Sequence, residues 1–411
     1  MAYIIFVQPQ VLGAAGMDHG AVMVATCLAA ALGSFVMGFL ANYPIGVAPG
    51  MGENFFFAFT LVLTMLVPWQ KALGIVFISG VLFILLTFFR IRELLVNSIP
   101  ASLKTAIAVG IGLFIALIGL HDAGIVVQNQ GGLVKLGNLH ETPVLLAVFG
   151  LVLTSVLLVR RVKGAILVGI GVNIVLGLVL GIFKYSGLVS MPPSIAPTFM
   201  QMDVRGVLEL QYAVPVIVFL FMAMFDTVGT LIGVTSQAGF VKDGKVPRAG
   251  RVLMADAVAT TAGAALGSST TLAFVESIAG IKVGGRTGLT AVVVGSLFLV
   301  ALFFYPLVGM VSKGVALDSG LVVHPATAPA LILVGSMMMC GVKDIRWDDM
   351  FEAIPAFLTI VAIPFSYSIA DGIAFGFISY PLLKLFGGRA REVSPIVYVL
   401  GALFAARYIF L

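Results

Sequence analysis

Charge is what this chain has least of. Asp, Glu, Lys and Arg make up 10% of its 411 residues, while 60% are hydrophobic. Soluble domains carry about 25% charged residues, so this balance excludes an ordinary water-soluble fold. Cysteine is nearly absent: Cys27 and Cys340 both fall in apolar stretches and read as small buried side chains, with no disulfide and no metal-ligand neighbours. The four histidines, His19, His121, His140 and His324, lie in loops or near span ends without ligand spacing, so no metal site is expected. No nucleotide-binding motif appears either. Gly284-Gly-Arg-Thr-Gly288 lacks the lysine and the preceding strand of a phosphate loop and reads as a tight turn. Neither a cofactor nor direct use of ATP is therefore expected. Paired acids or a nucleophile with its base, as a hydrolase needs, are also missing, so the chain does not read as an enzyme. Residues 1–7 are too short and lack the basic leader of a signal peptide, and the run Met1–Val7 reads as the tail of a longer first helix.

Apolar length is abundant. The mean hydropathy is +1.15, and a membrane span needs about 20 apolar residues. Such stretches fall near 21–41, 43–66, 70–89, 99–120, 142–159, 164–183, 212–238, 251–267, 270–281, 287–311, 322–341, 350–366 and 369–387. Short apolar runs at 2–7 and 395–411 flank them, the second either crossing or lying along the interface. The net charge of +5 would suit a nucleic-acid partner, but its distribution points elsewhere. Basic residues gather on alternate loops: Arg90/Arg92, Arg160/Arg161/Lys163, Lys242/Lys245/Arg248/Arg251, Lys282/Arg286, Lys343/Arg346 and Lys384/Arg389/Arg391. By the positive-inside rule those loops face the cytoplasm of a multi-pass protein in the cell (inner) membrane. The charge sets topology and implies no nucleic acid.

Two breaks interrupt the spans. Ala41-Asn-Tyr-Pro-Ile-Gly-Val-Ala-Pro-Gly-Met-Gly-Glu-Asn-Phe-Phe-Phe57 carries two prolines, three glycines and Glu53. Leu266-Gly-Ser-Ser-Thr-Thr-Leu-Ala-Phe-Val-Glu-Ser-Ile-Ala-Gly280 carries Glu276. Broken backbone survives at membrane depth only where protein buries it or a wet cavity solvates it. Paired breaks in two halves of an apolar chain point to a transporter's binding site. Each reads as extended backbone followed by a half-helix: Ile45–Ala48 leading into Gly50–Gly52, and Ser268–Ala273 leading into Val275–Ala279. Aligning Glu53 with Glu276 gives two halves of about seven spans, an odd number that makes the repeats inverted. The expected class is thus an all-α polytopic membrane protein whose two broken helices carry short extended stretches.

Glu53, Asp226, Glu276 and Asp371 sit at membrane depth, where one charged acid costs ~2.5–3.5 kcal/mol. Glu53, Asp226 and Glu276 are candidates both for ligand contact and for proton coupling. Asp371 and Asp256 fall near span ends, where snorkelling or capping competes at least equally with a functional role. Asn54, Thr227, Thr230, Ser268, Ser269, Thr270 and Thr271 could orient a ligand, and Phe55, Phe56, Phe57, Phe225 and Phe274 could stack on a planar one.

At these motifs the chain resembles the Azg-type purine permeases, a branch of the nucleobase–ascorbate (xanthine/uracil) transporter superfamily. The matching blocks are Ala41-Asn-Tyr-Pro44, Ala48-Pro-Gly-Met-Gly52 with Asn54, Phe225-Asp-Thr-Val-Gly-Thr230, Asp243-Gly-Lys-Val-Pro-Arg-Ala-Gly-Arg251, Glu276-Ser277, Gly284-Gly-Arg-Thr-Gly-Leu-Thr290 and Ser368-Ile-Ala-Asp-Gly372. The resemblance implies about 14 transmembrane segments in a 7+7 inverted repeat, forming one transporter domain over residues 1–411. It implies a core subdomain near 1–98 and 212–311 and a gate near 99–183 and 318–411. Substrate contacts from the family's third, eighth and tenth helices fall on Asn54, Asp226 and Glu276. Two departures concern the acids. The family has an apolar or small residue where Glu53 stands, and often a second aspartate where this chain has Ala223, as if one carboxylate had moved from the eighth helix to the third. The function implied is import of adenine, guanine or hypoxanthine, with proton symport and alternating access. The site residues are then Glu276, Asp226, Asn54, Glu53, Thr227, Phe274, Ser269 and Thr270, the partners being a purine base, protons and the bilayer. A homodimer is compatible with this plan. The alternative is a sulfate- or bicarbonate-like anion transporter or channel of the same general fold.

Overall fold

A computed structural model describes residues 1–411 except 90–98, 130–131, 239, 241–246, 283 and 411. The basic positions Arg90, Arg92, Lys242 and Lys245 lie outside the described residues. Helices dominate. Six of them, His19–Ala41, Trp69–Phe88, Ala101–Asp122, Thr142–Val159, Gly288–Ser312 and Ile369–Phe386, are long and apolar enough to cross a membrane. In chain order the helices are α1 (Ile4–Ala14), α2 (His19–Val36), α3 (Met51–Phe55, running on as a π-helix over Phe56–Thr64), α4 (Trp69–Phe88), α5 (Ala101–Asp122), α6 (Thr142–Val159), α7 (Ala165–Val179) and α8 (Ala213–Ala238). They continue with α9 (Ala249–Leu266), α10 (Ser277–Lys282), α11 (Gly288–Ala301), α12 (Tyr305–Ser312), α13 (Ala328–Met338), α14 (Met350–Ser366), α15 (Ile369–Phe386) and α16 (Pro395–Phe410).

The expected spans match these helices closely, with corrections at the ends. The first apolar run extends past Pro9 to Ala14 as α1, because Gln8 and Gln10 turn inward and are buried. Residues 395–410 form a full helix, α16. Inside the polar interval His121–Glu141 the chain folds a hairpin, β2 (Val126–Asn129) against β3 (Gly132–Leu136). Cys340 is exposed rather than buried, and both cysteines are free.

Helix ends follow capping chemistry. Asp18 accepts from the Ala21 N–H at the start of α2 (2.8 Å), Asp349 from Phe351 at the start of α14 (3.0 Å), and Ser368 from Asp371 at the start of α15 (3.2 Å). Asp371 thus sits in the first turn of a capped helix, where its carboxylate also accepts from Tyr408 Oη (2.6 Å). The helices pack in two groups. In one, α2 contacts α9, α11 and α1 while α9 contacts α4; in the other, α5 contacts α13 and α14, and α14 contacts α15.

The breaks meet each other. β1 (Val47–Pro49) pairs antiparallel with β4 (Thr271–Ala273) in the register Val47–Ala273, Ala48–Leu272 and Pro49–Thr271. The Gly50 N–H donating to Thr270 O (2.9 Å) and the Phe274 N–H donating to Gly46 O (3.0 Å) extend the ribbon at each end. Its outer edges find side chains. Ser34 Oγ accepts from Val47 N–H (3.0 Å) and donates to Val47 O (3.1 Å), Thr260 Oγ1 donates to Thr271 O (2.7 Å), and Gly46 N–H donates to Ser277 Oγ (3.0 Å). Without water, each backbone group must find a partner inside the protein, and these hydroxyls supply them.

Candidate functional site

The antiparallel ribbon sends α3 and α10 away from a common centre in opposite directions. α3 leaves beside Thr271 and α10 leaves past Gly46, the second starting at Ser277, two residues later than expected. Glycine leaves room for two side chains at the first exit. A Cβ on Gly50 would stand 2.3 Å from Glu53 Oε2 and 2.4 Å from Leu272 Cδ2. At the other break Gly267, with φ +94°, ends α9 and turns the chain toward β4 against Thr198.

Around that centre the polar side chains are deeply buried. Glu53, Asn54, Thr227, Ser268, Ser269, Thr270 and Thr271 have no exposed surface, Phe274 is buried, and Asp226 and Glu276 are half-buried. Ser269 Oγ donates to Asn54 Oδ1 and so joins the two breaks. Glu276 accepts from Tyr3 Oη (2.8 Å). Thr227 Oγ1 lies 2.8 Å from Ala223 O and 2.5 Å from Asp256 Oδ2. The Glu53 carboxyl faces Asp226, with Asp256 also in electrostatic reach. The Asn54 amide Nδ2 and the hydroxyls of Thr270 and Thr271 meet no partner among the described residues. Buried polar atoms are nearly always bonded, so this concentration makes the centre the candidate site.

Most of the expected site residues therefore converge, and the structure adds three. Gln8 on α1 is fully buried and its Nε2 donates toward Ser269 Oγ (3.3 Å) and Ser268 Oγ (3.5 Å). Tyr3 joins through Glu276. Asp256 does not cap a helix end: it is fully buried within α9 and bonded to Thr227, because that side of α9 meets α8. Two glutamines around a proline in an otherwise apolar helix were the available signal for Gln8, since polar groups at membrane depth are costly. Two of the aromatics pack against other rings. Phe55 stacks on Phe59 with centroids 5.4 Å apart, and Phe56 meets Phe219 edge-on at 4.8 Å. The Phe225 side chain lies outside the described residues, and Thr230 is half-buried. A cavity of about 340 Å³ abuts Phe55 and is lined also by Gln10, Phe59, Asp122, His324 and Tyr367.

The sequence matches known proteins along its whole length. The Permease family (Xan_ur_permease) matches residues 1–375. The chain belongs to this family. The permease is 45% identical to the adenine permease AdeP of Escherichia coli over all of this chain and 90% of that protein. It is also 45% identical to the guanine/hypoxanthine permease PbuG of Bacillus subtilis over all of this chain and 94% of the relative. The expected Azg-type resemblance therefore holds, and the permease is an integral membrane protein. The transmembrane domain of the cyanobacterial bicarbonate transporter BicA superposes with a TM-score of 0.62 at 14% identity, covering 90% of this chain and 94% of that one, a likeness of fold alone.

Proposed function

We propose that this permease imports a purine base (adenine, guanine or hypoxanthine) by proton symport. The observation that carries the reading is the ribbon of paired breaks, which gathers Asn54, Ser269 and the acid-bearing half-helices at one buried point. The names of AdeP and PbuG support the purine class. A purine is planar and carries donors and acceptors around its edge. Glu276 would accept from a ring N–H or an exocyclic amine. The Asn54 amide and the unpartnered threonine hydroxyls would donate to ring nitrogens or a carbonyl. Two acceptor-only carboxylates can share a hydrogen bond only through a proton, so the Glu53–Asp226 pair is the natural carrier of the coupling proton. One charge moving inward through 100 mV releases ~2.3 kcal/mol, equivalent to roughly fifty-fold accumulation.

The inverted repeat supplies the motion in this reading. The group built on α2, α4, α8, α9 and α11 is the core, and the group built on α5, α13, α14 and α15 is the gate. Core shifts against gate to open the site to each side in turn, with the basic loops cytoplasmic. The anion reading is weaker, since three facing carboxylates would repel an anion. The test is uptake of radiolabelled adenine, guanine, hypoxanthine, xanthine and uracil by cells lacking their own purine permeases, at several external pH values and with a protonophore. Saturable uptake of a purine that collapses with the proton gradient supports the proposal. Uptake of no base by correctly inserted protein overturns it, and purine uptake indifferent to pH and protonophore removes the proton.

A further inference from the structure

Away from the two breaks, one hydrogen-bonded cluster joins helices that belong to the two different packing groups. Gln10 lies in α1 and is 4% exposed. Its Nε2 donates to Asp122 Oδ2 (2.5 Å), and its Oε1 accepts from Thr327 Oγ1 (2.5 Å). Asp122 is the last residue of α5, and Thr327 immediately precedes α13. The His324 N–H donates to Asp122 O (2.7 Å), fastening these two gate-side ends together. The imidazole Nδ1 atoms of His121 and His324 stand 3.8 and 3.7 Å from the Asp122 carboxylate. One glutamine amide is thus gripped at both its donor and its acceptor by a single rigid corner of the opposite helix group. The same corner walls the 340 Å³ cavity whose lining includes Phe55, the neighbour of Asn54. It lies at the end of the bundle remote from the basic loops that follow α6 and α13.

We infer that Gln10, Asp122 and Thr327 form an outer latch, a set of positioning residues that hold core against gate on the extracellular side and must part before substrate enters. The inference rests on the core-and-gate reading above. A neutral amide suits such a latch. It satisfies a half-buried acceptor on Asp122 and a buried donor on Thr327 at once, so the closed state strands none of the three latch side chains. It can also be released without separating two full opposite charges in a low dielectric, which would hold the closed state far more tightly. The cavity beside it then becomes the entry path, bounded by Phe59 and Tyr367 on the way to Asn54.

The test reads accessibility directly. A Val11→Cys reporter is placed in the cavity wall, with exposed Cys340→Ser and fully buried Cys27 left in place, and labelled from outside with a membrane-impermeant maleimide. Gln10→Leu and, separately, Thr327→Val each remove latch bonds while nearly preserving volume. Either should speed labelling at least about five-fold, as expected when a closed state loses a hydrogen bond. In a second arm Gln10→Cys is joined to Thr327→Cys by a short bifunctional methanethiosulfonate, each thiol displacing a sulfinate to form a disulfide that a reductant cleaves. Bridging should bring purine uptake to background, and cleavage should restore it. Unchanged labelling in both variants with inserted protein, or undiminished uptake through bridged protein, overturns the latch. The labelling arm needs no substrate, so it stands even if no purine proves to be carried. If Gln10→Leu fails to insert, Thr327→Val decides the outcome.

Discussion

Two clusters of buried charge sit in this bundle, and they are built on opposite rules. At the start of α14, Glu352 is buried against Lys384, with side chains 2% and 3% exposed and 3.4 Å apart. Arg346 approaches the same carboxylate (3.4 Å), Tyr380 Oη donates to it (3.2 Å), and Lys384 also holds Glu392 at 2.7 Å. Charge there is balanced group by group. Between the breaks, Glu53 and Asp226 face each other with Asp256 in reach, and among the described residues no ammonium or guanidinium pairs with Glu53 or Asp226. Balanced charge fastens α14, α15 and the loop after α15 into one piece. Like charge confined to a dry site is costly unless protons or a ligand come and go. In the proposed function the first arrangement is scaffold and the second is mechanism, and substitutions should separate them.

The largest effect should come from Glu276→Gln. The amide oxygen can still accept from Tyr3, so the fold should survive, but a donor now faces the place where the carboxylate would accept from a purine. Uptake should fall by roughly 100-fold or more, since a buried site with one mismatched polar group rejects its ligand strongly. Retention of half the wild-type rate would remove Glu276 from the site. Next come Glu53→Gln and Lys384→Met, whose results should be mirror images. Glu53→Gln relieves like-charge crowding, so the melting temperature should hold or rise while uptake loses its response to external pH and protonophore. Lys384→Met takes the buried ammonium from Glu352 and leaves it only the exposed Arg346 and Tyr380 Oη, so the folded state should lose up to about 3 kcal/mol while uptake per folded molecule stays unchanged. Exchanged outcomes would undo the distinction between the clusters.

How much of this was legible in the sequence depends on the range of the interaction concerned. The spans, the two breaks and their acids follow from hydropathy and from Gly and Pro placement, which are local. That the breaks pair with each other, Ala48 opposite Leu272, is contact across more than 200 positions, and no pattern in either segment encodes it alone. Asp256 was misplaced for the same reason. Its distance from the end of a span is a local quantity, whereas its bond to Thr227 depends on how α8 meets α9. Gln8 and Gln10 were hidden because polar residues beside Pro9 look like the end of a helix, yet α1 runs through them. The hairpin over β2 and β3 was read only as polar, since its apolar positions are too few to mark a core.

Smaller effects probe the scaffold around the ribbon. Ser34→Ala leaves both the N–H and the C=O of Val47 without the hydroxyl that serves them, so stability should drop by about 1–3 kcal/mol in a thermal melt. A comparable loss in uptake per folded molecule would mean the ribbon's edge also tunes the site.

The smallest effect belongs to Glu392, the exposed member of the balanced cluster. Its hydrogen bond and charge pairing with Lys384 hold the carboxyl below the ordinary value of 4.5. A carboxylate depressed in the folded state adds stability above its unfolded value, and that contribution disappears as pH falls through the folded value. Glu392→Gln should therefore lower the melting temperature slightly at pH 7, and the gap to wild type should close as pH falls through that depressed value. Because the group is exposed, high salt should shrink the gap at pH 7 as well. A difference that persists unchanged at low pH would mean that Glu392 acts by packing, and the balanced cluster would then owe its strength to the buried Glu352–Lys384 contact alone.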